Sequence, residues 1–170
     1  IGKLIVATNE NDILHRFFTR GEYHREDIHA TISPSMDICA SSNFERFLFH
    51  LAGDDSDTLR NWMTGFEQSV KLTISGEQLL KAQATFLSAR ADTNQTLATI
   101  KQYNEEYQYL LCPHSAVGVS AAEQLDLIAS NTVCLATAHE AKFPAAVSRA
   151  ITELPVPPSQ LSEIMHLPTR

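Results

Sequence analysis

Glycine is scarce in this chain: there are six among 170 residues, and none of them cluster. That excludes a P-loop or a GxGxxG turn within it, since both need several glycines close together for the backbone to approach a phosphate. Cysteine is scarcer still. Cys39, Cys112 and Cys134 are odd in number, far apart and without a CxxC pair, so neither a disulfide framework nor a cysteine zinc site is expected. A reducing, cytoplasmic compartment is the simpler reading. The seven histidines show no HxH or HxxxH spacing, which leaves no metal site in prospect. No apolar run approaches the ~20 residues that cross a bilayer. Basic residues are outnumbered, 13 Lys and Arg against 20 Asp and Glu, giving a net charge of −7 and no basic stripe. Such a surface repels phosphate backbones and anionic membranes, so neither is expected as a partner. There is no initiator Met and no signal-peptide pattern, and a buried-strand pattern starts within three residues of Ile1. A natural terminus usually has a frayed lead-in, so the chain reads as cut from something longer.

What is present is the composition of one globular domain, with 44% hydrophobic and 19% charged residues. KLIVAT (residues 3–8) reads as a strand buried on both faces. The next stretch has Asn11 or Asp12 as a helix cap, apolar residues from Ile13 to Phe18 at helical spacing, and Gly21 as the stop. Strand, short polar loop and helix in this order are α/β grammar. A brief extended piece breaks at Pro34. A helix then follows a Ser42 or Asn43 cap and stops at Gly53. Helices are expected over residues 56–69, 76–91 and 93–107, with KLTIS as a short strand between the first two. Pro113 suits the first turn of another helix. The small residues Ala116, Gly118, Ser120 and Ala121 on that helix would permit close packing on a sheet or ligand. Val133–Ala136 reads as a second buried strand, residues 143–151 as a helix, and the last dozen residues as one more short helix.

The chemistry-bearing residues form no complete catalytic set. There is no GxSxG, and Cys112 beside His114 is no better than a half-buried residue at a helix start, because catalytic pairs normally come from separate loops. Of the five lysines, only Lys142 lies near the end of an expected strand, and its surroundings are polar. A Schiff-base lysine needs a desolvated site. Ligands of open α/β sheets bind at the carboxyl ends of strands, which here are Asn9-Glu10-Asn11 and Thr137-Ala138-His139.

Five segments, KLIVATNENDIL (3–14), SPSMDI (33–38), SSNFERFLF (41–49), PHSAVGV (113–119) and ATAHEAKF (136–143), occur in the order found in threonine synthases. The likeness is greatest to the fungal and bacterial type. It covers nearly the whole chain and is weakest through 54–108. The resemblance implies a pyridoxal-phosphate enzyme of the tryptophan-synthase-β-like fold (fold type II), helix-rich with a few parallel strands. Residues 1–53 and 110–152 would be its sheet-forming parts and 54–109 a helical insertion. Such an enzyme converts O-phosphohomoserine and water to threonine and phosphate. In the family the Schiff-base lysine and the phosphate-binding glycine loop lie upstream of the segment matching residues 3–8. The chain is therefore expected to be a later portion truncated at both ends, inactive alone, and in need of the remainder of the enzyme or of self-association to cover its sheet edges.

By the same resemblance, Thr137 matches the threonine whose hydroxyl meets the pyridine nitrogen of the coenzyme. A neutral hydroxyl there leaves the nitrogen largely unprotonated. Asn9 and Asn11 match an ATNxND pattern and are candidates for substrate contact, with helix capping as the alternative. Ser33, Ser35 and Asp37 could face the substrate phosphate or a moving domain. His114 and His139 could line the cleft or merely cap and pack. Two positions depart from the family, which usually has an acidic residue at Cys112 and Pro at Glu140. Two other readings stay open: a non-catalytic, threonine-synthase-like binding or regulatory module, and a fold relative acting on another phosphorylated or hydroxylated amino acid.

Overall fold

The computed structural model describes residues 2–127, 131–164, 167 and 168. β1 (Leu4–Thr8) leads through a polar loop into α1 (Ile13–Arg20) and then β2 (Glu22–His24). A single 3-10 turn at Pro34–Met36 precedes α2 (Phe44–Leu51), α3 (Ser56–Ser69), β3 (Lys71–Thr73), α4 (Gly76–Thr85) and β4 (Phe86–Arg90). Two long helices follow, α5 (Thr93–Tyr107) and α6 (Pro113–Gln124). A second 3-10 turn (Glu140–Lys142), α7 (Pro144–Val147) and α8 (Ser159–Ile164) complete the order.

The elements make two small sheets. β1 pairs with β4 in parallel, from Leu4 opposite Phe86 to Thr8 opposite Arg90. β2 pairs with β3 antiparallel, with Tyr23 opposite Leu72. Between the sheets lies an aromatic core built on the i, i+3, i+4 positions of α1 and α2. Phe17 meets the Phe44 ring edge-on at 4.7 Å, and Phe18 stacks on Phe86 at 4.8 Å. Tyr23, Leu48, Phe66 and Leu72 close the cluster. Burying each such ring contributes about 1.5–3 kcal/mol. A smaller cluster of Ile100, Leu111, Ala116 and Val119 joins α5 to α6, and α6 also packs on β1.

Capping explains where several helices begin. Asp55 accepts from the Asp57 and Thr58 amides, and full capping boxes start α4 (Ser75 with Gln78) and α5 (Asp92 with Gln95). Gly21 ends α1 in the left-handed region at φ 73°, its N–H bonded to the Phe17 carbonyl at 2.8 Å. The positive φ favours glycine, and a Cβ there would stand 3.1 Å from Ile74 Cγ1, close enough that Ile74 would have to shift.

Several sequence expectations are corrected. Val133–Ala136 is not a buried strand: the segment is irregular, with Val133 84% and Leu135 80% exposed. High β-propensity makes no strand where no neighbouring strand offers a ladder. The helix expected over 76–91 stops at Thr85, and residues 86–90 become β4 because β1 offers them a parallel partner. The 54–109 stretch supplies strands β3 and β4, while among the described residues 110–152 supplies none. β1 is exposed at Leu4, partly buried from Ile5 to Ala7 and buried only at Thr8. The helix expected over 143–151 is one four-residue turn followed by irregular turns. Neither Asn11 nor Asp12 caps α1 through its side chain, nor does Asn43 cap α2. Gly118 is not needed for close approach, since a Cβ there would meet nothing within 4 Å.

Candidate functional site

The loop after β1 is held by a dense polar network. Asn9 is almost wholly buried, and its Nδ2 lies 2.7 Å from Asp37 Oδ1, 2.9 Å from Thr31 Oγ1 and 3.0 Å from Ser33 Oγ. Its Oδ1 accepts the Asn11 backbone N–H at 2.9 Å, a local turn that aims the chain into α1. Asn11 pairs its side-chain amide with both backbone groups of His29, accepting from the N–H at 2.8 Å and donating to the carbonyl at 2.9 Å. Asp37 gathers the rest: its carboxylate accepts from Asn9, Asn11 (3.0 Å), the Thr31 hydroxyl (2.6 Å) and the Thr31 N–H (2.9 Å). The side chains of Asn9, Asn11, Ser33 and Asp37 are thus brought together, and they spend their hydrogen-bonding groups on one another and on the 29–37 loop.

That loop reaches α6 through one bond. The Ser35 N–H donates to His114 Nε2 at 3.2 Å. His114 occupies the second position of α6, buried at 7% exposure with its ring 4.7 Å from that of Phe143. Burial lowers its pKa from the ordinary 6.5, against an opposing pull from Asp37.

Thr137 lies on the other side of the same helix start. Its N–H donates to Ser115 Oγ at 3.1 Å, and its hydroxyl stands 3.2 Å from Ser115 Oγ and 3.6 Å from Cys112 Sγ. Cys112 is the N-cap of α6, its sulfur accepting the Ser115 N–H at 3.4 Å. Burial pushes the Cys112 thiol up. The hydrogen bonds from Ser115, the Thr137 hydroxyl and the Ala138 N–H together outweigh that, and the net displacement is downward. Ser115 Oγ and Cys112 Sγ thus hold both the N–H and the hydroxyl of Thr137 at the start of α6. Thr137 as a residue is exposed.

His139 is not drawn into either group: it is exposed, accepts from the Ala141 N–H at 3.2 Å and lies 3.3 Å from Glu140. Lys142 sits in the adjoining 3-10 turn. Sequence reasoning did not single out Ser115, Thr31 or Phe143. Ser115, three residues after the Cys112 cap, lies where a capping partner is expected, but its contact with Thr137 spans 22 residues and leaves no local signal.

Comparison with known proteins carries the identification further. The family profile described as threonine synthase, C-terminal, matches residues 115–170. A PLP-bound threonine synthase structure from Brucella melitensis superposes with a TM-score of 0.89 at 44% identity, covering 97% of this chain and 36% of that one. The yeast threonine synthase structure gives the same TM-score at 36% identity, over 99% of this chain and 38% of its own. The fold is therefore that of the pyridoxal-phosphate fold-type-II enzymes. In sequence, the Pseudomonas aeruginosa threonine synthase is 40% identical over 98% of the chain. The chain belongs to the threonine synthase family, and it spans about a third of the length of the curated relatives it matches (36% for the Pseudomonas protein). Among the described residues no helix is long and apolar enough to cross a membrane, and no cluster could hold a metal ion.

Proposed function

We propose that this segment forms one wall of the active site of a threonine synthase, a carbon–oxygen lyase that acts on O-phosphohomoserine with pyridoxal phosphate in the cytoplasm. The observation that carries the reading is Thr137, exposed as a residue and held through its N–H and hydroxyl by Ser115 and Cys112 at the start of α6. The donor set fits the coenzyme ring: Thr137's partners are a hydroxyl and a thiol, with no carboxylate to force a proton onto a pyridine nitrogen. Bound pyridoxal phosphate supplies the electron sink that allows protons to leave the substrate carbons. Thr137 holds the ring nitrogen by a neutral hydrogen bond, and Ser115 fixes the orientation of Thr137. The Asn9–Asn11–Asp37 network keeps the loop after β1 and the 29–37 loop in register, and the Ser35–His114 bond ties them to α6. The covalent lysine and the phosphate-binding loop belong to the rest of the enzyme, so the 170 residues alone are inactive.

The test is phosphate release from O-phosphohomoserine by the complete protein, with threonine as the second product. Thr137→Val should lower kcat several-fold, up to about tenfold, as loss of one neutral hydrogen bond of about 0.5–1.5 kcal/mol implies. It should also shift the absorbance of the bound coenzyme while leaving the melting temperature within a few degrees. Absence of phosphate release from a coenzyme-loaded protein overturns the reading. Release from a different phosphorylated amino acid, but not from O-phosphohomoserine, replaces the substrate.

A further inference from the structure

Among the described residues, His114 carries a buried ring nitrogen that no partner uses. His114 Nε2 accepts the Ser35 N–H, so in the neutral ring the proton must sit on Nδ1. That Nδ1 is buried and has no hydrogen-bond partner among the described residues. A buried donor without a partner loses its water without replacement, and such groups call for an explanation. The ring is neutral by environment as well, since burial lowers its pKa and protonation would break the Ser35 bond. It stands in the first turn of the 12-residue α6, where the helix dipole favours negative charge.

We propose that His114 binds substrate: its Nδ1–H, fixed in tautomer by the Ser35 backbone, donates a hydrogen bond to an anionic oxygen of the incoming ligand. The partner must be an acceptor, because the locked tautomer offers only a donor. An oxyanion is the acceptor that the start of α6 favours. The Phe143 ring lies tilted against the imidazole at 4.7 Å and stands between the short Glu140–Lys142 turn and the four-residue α7, so little secondary structure holds it in place. Ligand entry moves this ring aside. In O-phosphohomoserine the oxyanion is either the phosphate or the α-carboxylate. The proposal rests on the threonine synthase reading for the identity of the ligand but not for the donor itself.

Two measurements on the complete, coenzyme-loaded protein test it. With 15N-histidine labelling, the His114 signal should show the Nδ1–H tautomer. Titration with inorganic phosphate or with L-homoserine should then move its Nδ1 proton downfield, and the probe that moves it identifies the phosphate or the carboxylate as the source. If neither probe moves it, the donor is satisfied by water and the proposal falls. His114→Gln keeps an acceptor for the Ser35 N–H and lacks the Nδ1 donor, whereas His114→Asn keeps an amide donor near the Nδ1 position and loses the Ser35 bond. The expected result is a KM for O-phosphohomoserine raised about tenfold or more in the Gln variant, with a smaller change in kcat, and a milder effect in the Asn variant. The reverse order makes His114 only a brace for the loop and overturns the proposal. Failure to turn over O-phosphohomoserine at all would defeat the substrate assignment, while the titration would still decide the role of His114.

Discussion

Asn9 and Asp37, 28 residues apart, meet in a 2.7 Å hydrogen bond at the centre of the polar network that joins β1 to the 29–37 loop. Asp37 is the shared acceptor, so its removal strands several donors at once. Asp37→Ala should lower unfolding stability by about 2–3 kcal/mol, because the Asn9 and Asn11 amides lose a charged partner while still buried. Urea titration with an unchanged slope and a lowered midpoint is the expected signature. An unchanged midpoint would mean that solvent satisfies these amides and that the network holds nothing in place.

Gly21→Ala tests the other end of α1. The left-handed φ of 73° and the 3.1 Å approach of Ile74 Cγ1 both oppose a methyl group. A loss of about 1–2 kcal/mol is expected, from the backbone alone. Thermal unfolding should show it as a drop of a few degrees. A neutral or stabilising result would show that the β2–β3 side of the core yields easily.

The cysteines set thiol chemistry against access. Cys112 has the lowered thiol pKa but is 2% exposed, whereas burial raises the Cys134 thiol although Cys134 itself is exposed. Access should decide, since a reagent cannot reach a sulfur enclosed by its own helix start. Brief iodoacetamide treatment followed by peptide mass spectrometry should find Cys134 labelled first and Cys112 labelled only on unfolding. Early labelling of Cys112 would reveal that the start of α6 opens in the native state. Cys112→Ala should cost about 1 kcal/mol through loss of the cap, and Cys112→Ser should cost less.

Two histidines make stability fall on mild acidification. Burial lowers the pKa of both His15 and His114 in the folded protein relative to the ordinary 6.5. Below 6.5 the unfolded chain binds protons that the folded chain refuses. Their contribution is therefore complete above that pH and is lost as the pH falls through the folded values. His15 also faces Ser88 Oγ at 3.1 Å, with Asp12 opposing its shift and Arg90 and Arg20 adding to it. The melting temperature should drop between pH 7.5 and 5.5, and by less in a His15→Gln, His114→Gln double variant. Equal slopes in both proteins would assign the acid sensitivity to other groups.

Elements whose signal is local were legible in the residues. The helices at 56–69 and 93–107 begin at Asp55 and Asp92, which cap them, and the KLTIS stretch carries strand β3. What failed depended on distant partners. Residues 86–90 carry helical-looking spacing and become a strand because β1 lies alongside, whereas Val133–Ala136 has the composition of a strand and no ladder to join. The site divides the same way. Thr137 was reached through family motifs. That Asn9, Asn11, Ser33 and Asp37 bind one another, and that His114 keeps an unspent donor, depends on side-chain directions that no spacing encodes.

The parallel ladder between β1 and β4 also bears on how the chain assembles. Leu4 and Phe86 face each other across the whole of α1–α4, so their first contact closes a loop of 82 residues. The entropic charge for that closure is about 4 kcal/mol, incurred before any ladder bond returns it. Helical hairpins and the Phe17–Phe44 core, which join residues nearer in sequence, should form earlier and draw the two strands together. The ladder that ends in the Asn9 loop should then be among the last parts to set. Nascent chains interrupted before Phe86 would hold the aromatic core without the strand pair on which the loop after β1 depends.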